Sequence, residues 1–415
     1  MSIVSSKPDV DAAAVPHIEV LITEARQHRR KRNLITAGVV ALVVLAAGTL
    51  LVVNRAGTVQ GPGFDGQPPP LSGGSASLLK SFEAKSPSLF LSLRGRVTQP
   101  EVPPRTFWVV ASNTKSGSLA RTLLPIMWDG MSVQGISIDH RGGLWVSYAK
   151  GPDCRNRPNL ASRGPYICGP IANTCRSIVA RYNLGTGAST VEYRGSPSEE
   201  LSGSAASPDG RLLAYLTQGC TTSNGVFPAV RIRDITTGRA WTVQQAATRC
   251  GSFSQPTWDF AGRALLFNSY YNTSGCEQTG VWLTKVSALS NGAPSTDKVY
   301  AGHGCEYQSV APLVDGTSYA IEACGGGPSY VSGAVYLVHL DAALRPFDRH
   351  LLGKCTDGNG ISTSSSGSVL ISAYLYCGGA GGPTPTKIWR VVDGRVEAPV
   401  TTDGTSWLGE QSLAW

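Results

Sequence analysis

The stretch Ser207-Pro-Asp-Gly-Arg-Leu-Leu-Ala-Tyr-Leu-Thr217 decides how this chain is read. Asp-Gly supplies the positive-φ position that a tight antiparallel hairpin needs. The apolar run behind it, Leu212 to Leu216, is of the length and composition of a strand buried on both faces. The same turn-then-strand pattern returns in Trp258-Asp-Phe-Ala-Gly-Arg-Ala-Leu-Leu-Phe-Asn268 and in Val314-Asp-Gly-Thr-Ser-Tyr-Ala-Ile321. Weaker copies are His140-Arg-Gly-Gly-Leu-Trp-Val-Ser147 and Ser366-Gly-Ser-Val-Leu-Ile-Ser372.

Strand starts taken at Ser88, Gly143, Arg211, Arg263, Thr317 and Ser368 are 55, 68, 52, 54 and 51 residues apart. Each copy is followed by a third strand and a further Gly-bearing turn, as in Ile178-Val-Ala-Arg-Tyr-Asn-Leu-Gly-Thr-Gly187 and Val230-Arg-Ile-Arg-Asp-Ile-Thr-Thr-Gly238. A fourth strand such as Arg239-Ala-Trp-Thr-Val243 closes the unit. Four antiparallel strands per fifty-odd residues is the pattern of propeller blades. The expectation is an all-β, six-bladed β-propeller over 81–415. The first blade has no innermost strand ahead of Ser86-Pro-Ser-Leu-Phe-Leu-Ser-Leu93, whereas Ser406-Trp-Leu-Gly-Glu-Gln-Ser-Leu-Ala-Trp415 is a strand without a blade. The tail is therefore expected to fill the first blade and close the ring, removing exposed edges.

The pattern S-P-D-G-R-x-[LI]-[AL]-[YF], complete at 207–215, resembles the TolB-like, WD-repeat-like bacterial propellers. The resemblance covers roughly 81–415 and implies the fold and a ligand-binding rim. It implies no particular activity, since such propellers host many functions.

Composition agrees with strands and turns. The charged fraction is 15%, with 48 Gly and 26 Pro among 415 residues. The net charge of +8 is dilute, because residues 1–33 carry only +2 of it, and a nucleic-acid partner would call for a clustered basic surface.

Leu34 to Val53 is twenty residues without a charge, the length that spans a bilayer as a helix. Arg26-Gln-His-Arg-Arg-Lys-Arg32 precedes it, and after Arg55 no Lys or Arg occurs until Lys80. The positive-inside rule then puts 1–33 in the cytoplasm and the rest outside. A cleavable signal peptide would have a shorter apolar core and a small-residue cleavage site, so an uncleaved anchor is preferred. The tail 16–26 reads as a short helix, either lying on anionic headgroups or docking a cytosolic partner. Residues 54–80, rich in Gly, Pro and Ser, read as a flexible tether.

All ten cysteines lie between Cys154 and Cys377, with no C-x-x-C, which favours disulfides. Cys250, Cys305 and Cys355 stand just ahead of a blade's first strand; Cys276, Cys324 and Cys377 stand just past the end of its second. In an antiparallel hairpin these ends are neighbours within disulfide range. The expected bridges are Cys250–Cys276, Cys305–Cys324 and Cys355–Cys377. Cys154, Cys168, Cys175 and Cys220 pair among themselves in one of three connectivities.

No G-x-S-x-G elbow, H-E-x-x-H, P-loop or helix-opening G-x-G-x-x-G occurs, and neither a metal nor a cofactor is implied. Asp357-Gly-Asn-Gly360 is half a calcium loop without its closing acid, and reads as a turn. His140 is placed in a hairpin turn and His339 in a strand. The rim candidates for recognition are Arg155, Tyr166, Phe227, Tyr270, Tyr271, His303, Glu306, Tyr307 and Tyr330, with Arg157 and Glu277 beside them. The leading function is an anchored module binding an envelope protein or glycan. The alternatives are a sensor signalling through its single helix, and a propeller hydrolase or cyclase. Partner identity and oligomeric state stay open.

Overall fold

The computed structural model describes residues 67–83, 87–95, 107–125, 127–128, 131–139, 141–150, 175–219, 228–245, 251–271, 280–291, 296–300, 305–325, 333–354, 356–364, 367–375, 386–401 and 413–414. All of them belong to the unit 66–415, one of two into which the chain divides. The expected cytoplasmic tail 1–33 and apolar segment 34–53 lie outside the described residues. Among those described, no helix is long and apolar enough to cross a membrane.

Six antiparallel sheets follow one another along the chain. Blade 1 contains β1 (Leu89–Gly95), β2 (Phe107–Asn113) and β3 (Leu119–Pro125). Blade 2 contains β4 (Met127–Trp128), β5 (Met131–Ile138), β6 (Gly143–Lys150), β7 (Arg176–Asn183) and β8 (Ser189–Arg194). Blade 3 is β9 (Glu199–Ala206), β10 (Leu212–Gly219), β11 (Ala229–Asp234) and β12 (Ala240–Gln245). Blade 4 is β13 (Gly251–Phe253), β14 (Thr257–Trp258), β15 (Ala264–Tyr271), β16 (Gly280–Lys285) and β17 (Thr296–Tyr300). Blade 5 is β18 (Cys305–Pro312), β19 (Ser318–Cys324), β20 (Ala334–Leu340) and β21 (Pro346–Lys354). Blade 6 is β22 (Thr356–Thr363), β23 (Val369–Leu375), β24 (Thr386–Val392), β25 (Arg395–Val396) and β26 (Val400–Thr401). Finally β27 (Leu413–Ala414) pairs with β1, Leu91 opposite Ala414 and Ser92 opposite Leu413. It also packs on the innermost strands β22 and β5 of the flanking blades. The tail thus completes blade 1, and the six second strands begin within one residue of their expected starts.

Local chemistry explains the hairpins. In the turn before β6, Asp139 Oδ1 accepts the Arg141 N–H at 2.8 Å and the Gly143 N–H at 2.7 Å. Asp259 does the same for Arg263 and Ala264, and Ser207 Oγ for Leu212. A second repeated turn joins third to fourth strands: Asn113, Asn183 and Asp234 each accept two N–H groups from the residues that follow. Side chains that satisfy their own turn in this way make Asx turns, which a local sequence encodes without help from the core.

The second strands are buried on both faces, as expected. On β19, Tyr319 and Ile321 join the core with blade 6, while Ala320 joins the core with blade 4. Similar apolar layers fill the junctions of blades 2 with 3, 3 with 4, and 6 with 1. Four innermost strands carry a one-residue bulge midway, between Val133 and Gly135, Ser202 and Ala205, Tyr307 and Ser309, and Gly358 and Gly360. At the first of these a Cβ on Gly135 would lie 3.1 Å from the Gly203 backbone, so glycine lets β5 and β9 approach. The last corrects the reading of Asp357-Gly-Asn-Gly360 as a turn: these residues are part of β22, their glycines spent on a bulge near the axis.

The segment expected as a tether is partly structured. Residues 67–75 and helix α1 (Ala76–Glu83) lie against strand β3 of blade 1 and the turns of blade 2. Leu71 N–H donates to Gly187 O, Ser72 N–H to Leu123 O and Ser75 N–H to Leu184 O. Arg121 Nη1 donates to Gly73 O at 2.6 Å. Leu71, Leu78 and Phe82 are buried. Backbone hydrogen bonds and three apolar anchors hold a stretch whose composition alone reads as coil.

Candidate functional site

The propeller has two unlike rims. The connections after first and third strands are turns of two to five residues, except 286–295 after β16, which includes a 3-10 helix at Val286–Asn291. The connections after second strands run 96–106, 151–175, 220–228, 272–279, 325–333 and 376–385, and all emerge at the opposite rim with the blade-to-blade crossings. Loops gathered on a rigid scaffold are where recognition residues concentrate.

Blade 5 supplies the best-described piece of that rim. Cys305 opens β18, Cys324 closes β19, and the register sets them opposite each other with Cα atoms 4.0 Å apart. They form the expected disulfide. Cys175 is also disulfide-bonded. Cys154, Cys168, Cys220, Cys250, Cys276, Cys355 and Cys377 lie outside the described residues.

A charged cluster covers this disulfide. Glu322 is two residues before Cys324 on the same face of β19 and is buried. Arg349 reaches in from β21, the outermost strand, and pairs with Glu322 at 2.8 Å. Its guanidinium lies over the Tyr336 ring at 3.5 Å and donates to Cys324 Sγ at 2.9 Å. Donor atoms of Cys305, Glu322 and Cys324 lie within 4.8 Å of one another. That is a metal-like spacing, but the sulfurs are bonded together and the carboxylate is ion-paired, so the trio offers a cation little as it stands.

Tyr307 belongs to this neighbourhood but not to its surface. It is 2% exposed and packs in the core between blades 4 and 5. Burial, then the Glu322 carboxylate, pushes its phenol up to about 12. Glu306, on the other face of β18, is half-buried and accepts from Gln308 Nε2 at 3.3 Å. Tyr270 and Tyr271 end β15 at this rim, opposite Ser252 and Gly251. Arg155, Tyr166, Phe227, His303 and Tyr330 lie outside the described residues, as do Arg157 and Glu277. His339 sits in β20 as expected, stacked on Tyr319 at 4.3 Å and against the tilted ring of Phe347 at 4.2 Å, with Thr317 Oγ1 2.9 Å from Nε2. Burial lowers its imidazole below the usual range, against the pull of Asp315 and Asp348.

A second concavity follows the ring axis. It has a volume of about 800 Å³, counting the part open to solvent, and is lined by the innermost strands. Its polar groups are mostly neutral: Ser137, Gln255, Thr257, Ser309, Ser362 and Thr363. Among the described lining residues the one carboxylate is Asp139, and both its oxygens are taken. Oδ1 serves the turn, and Oδ2 accepts the Trp145 Nε1–H at 2.8 Å and faces Arg181 Nη2 at 3.2 Å. Sequence reading passed over Arg349, Glu322 and Asp139. Of these, only Asp139 carried a local signal, as the acid ahead of a turn glycine.

No protein-family model matches the sequence, and no curated protein matches it. Solved structures with a similar fold include TolB from Acinetobacter baumannii, at TM-score 0.49 and 12% identity, covering 80% of this chain and 67% of that one. The β-propeller domain of the Trilobed protease from Pyrococcus furiosus has TM-score 0.39 and 10% identity, covering 66% and 71%. A puromycin-hydrolyzing peptidase from Mycobacterium tuberculosis has TM-score 0.42 and 16% identity, covering 77% of this chain and 45% of that one.

Proposed function

We propose that this protein is a membrane-anchored, extracytoplasmic binding module that engages an envelope protein or glycan through its long-loop rim. The observation that carries the reading is the contrast between the two rims. At one rim every connection but 286–295 is a turn of five residues or fewer; at the other the connections after second strands run from eight to 25 residues, and a disulfide joins the start of a blade to the end of its second strand. Such a clamp restrains rim loops before a ligand arrives and lowers the entropy cost of binding. The described lining of the axial concavity is neutral apart from Asp139, whose carboxylate is committed to a turn, an indole N–H and Arg181, and this favours binding over acid–base chemistry there. Anchoring is supported by the uncharged segment 34–53 behind a basic stretch.

The test compares the full chain with residues 67–415 as baits in cell-envelope extract, each with and without Cys305→Ser/Cys324→Ser. Capture of the same protein or glycan by both wild-type baits, weakened at least severalfold by the paired substitution, is the expected result. Folded baits that retain nothing above a control propeller reject the binding reading. A full chain that leaves the membrane fraction under alkaline carbonate rejects the anchor.

A further inference from the structure

We propose that Cys305–Cys324 is a thiol–disulfide exchange site for a dithiol partner, with Cys305 the sulfur attacked and Cys324 the leaving group. The assignment comes from the asymmetry of Arg349. One guanidinium nitrogen is 2.9 Å from Cys324 Sγ but 3.9 Å from Cys305 Sγ. Arg349 is held in that position by Glu322 at 2.8 Å and by the Tyr336 ring beneath it. Both cysteines are half-buried at the loop-bearing rim rather than sealed in the core.

The groups around the pair are Tyr307 on β18, Glu322 on β19, Tyr336 on β20 and Arg349 on β21, with Glu306 on the far face of β18. Glu322 disfavours a new negative charge, yet the same guanidinium already offsets it. The Glu322 carboxylate, within 4.8 Å of Cys324 Sγ, takes back part of the effect, but the guanidinium donates a hydrogen bond to that sulfur at 2.9 Å, which the carboxylate cannot do. A thiolate beside arginine is stabilised, and a better-stabilised thiolate leaves faster.

The exchange balances as follows. A thiol of the partner loses its proton to solvent and attacks Cys305 Sγ. The S–S bond breaks, its electron pair passes to Cys324 Sγ, and a mixed disulfide forms at Cys305. The partner's second thiol, likewise deprotonated, attacks the partner sulfur of that mixed disulfide. It frees Cys305, which takes up a proton. The partner leaves oxidised by two electrons, and the pair remains as a Cys324 thiolate and a Cys305 thiol.

The test uses the full-length chain with Cys305→Ser, in which Cys324 has lost its partner. Iodoacetamide alkylation of Cys324 is followed against pH by peptide mass spectrometry, alongside the same chain with Arg349→Met or Arg349→Lys added. The expected profile lies below the ordinary thiol midpoint of about 8.5. At pH 7 alkylation is about tenfold faster with Arg349 than with Met, and Lys restores most of the difference. Rates within twofold of each other across the three, or an unreactive Cys324, overturn the proposal. A second measurement needs no serine variant: the otherwise native chain is treated with limiting dithiothreitol and trapped. The Cys305–Cys324 bond should open several times faster than in Arg349→Met, and equal rates overturn the assignment.

Discussion

Replacing Asp139 by Asn tests how far one turn residue supports the wall between blades 2 and 3. The wild-type carboxylate is buried, and each oxygen has separate duties. Oδ1 closes the hairpin through two backbone N–H groups, and an Asn oxygen can continue that. Oδ2 accepts from Trp145, itself 1% exposed, and faces Arg181. An amide nitrogen there would turn its hydrogens toward another donor. The buried indole N–H then goes unpaired, at a cost of about 1–3 kcal/mol. The Arg181 pairing is partly open to water and adds about 0–1 kcal/mol. The expected loss is about 2–3 kcal/mol, rising with Asp139→Ala, which abandons the turn as well. Urea unfolding followed by tryptophan fluorescence reads it as a lower midpoint at unchanged slope. A cycle with Trp145→Phe locates the cause: once the indole N–H is gone, Asp139→Asn should cost about 1–2 kcal/mol less. Additive costs, or an Asp139→Asn midpoint matching wild type, would refute the account.

Deleting 404–415 removes β27 and exposes the edge of β1, so the melting temperature should fall and proteolysis accelerate; an unaffected melting curve rejects ring closure by the tail. Leu78→Ala in α1 should cost about 2–5 kcal/mol, because Leu78 is 1% exposed. A change under 0.5 kcal/mol would mean that 67–83 does not support blades 1 and 2. Gly142→Ala attacks the docking of α1 through the neighbouring residue, since φ is +71° and a Cβ would meet Leu79. Its cost is at least about 1 kcal/mol by the same unfolding assay. Asp234 is held down to about 2, first by the Thr236 hydroxyl and then by neighbouring backbone N–H groups and Arg211. It contributes stability above about pH 4 that disappears as pH falls to about 2. The stability gap between wild type and Asp234→Asn should therefore close across that window, and a constant gap is the contrary result.

Much of the ring was legible because its information is local. Asp209-Gly210 and Asp315-Gly316 announce their turns within four residues, and each second strand has adjacent buried apolar residues facing both ways. Cys305 and Cys324 could be paired because register follows from a hairpin's ends. What failed to show was non-local or masked by composition. Arg349 meets Glu322 from two strands away, and nothing in either stretch names the other. Tyr307 resembled an exposed aromatic beside a rim cysteine, but the strand's alternation turns it into the blade 4–5 core. Residues 67–75 are bound mostly through backbone groups, and a Gly- and Pro-rich sequence gives no sign of that. The Leu78, Leu79 and Phe82 spacing was the one visible cue.

Blade 1 draws its innermost strand from 413–414 and the other three from 89–125, so Leu91 waits for Ala414 across almost the whole propeller. Among the described residues no other strand pairing spans so much chain, and such distant contacts form late. During synthesis five blades can assemble while the first remains three-stranded, its inner edge an open template for any passing strand. Until 413–414 arrive, therefore, β1 is the most exposed edge of the growing ring.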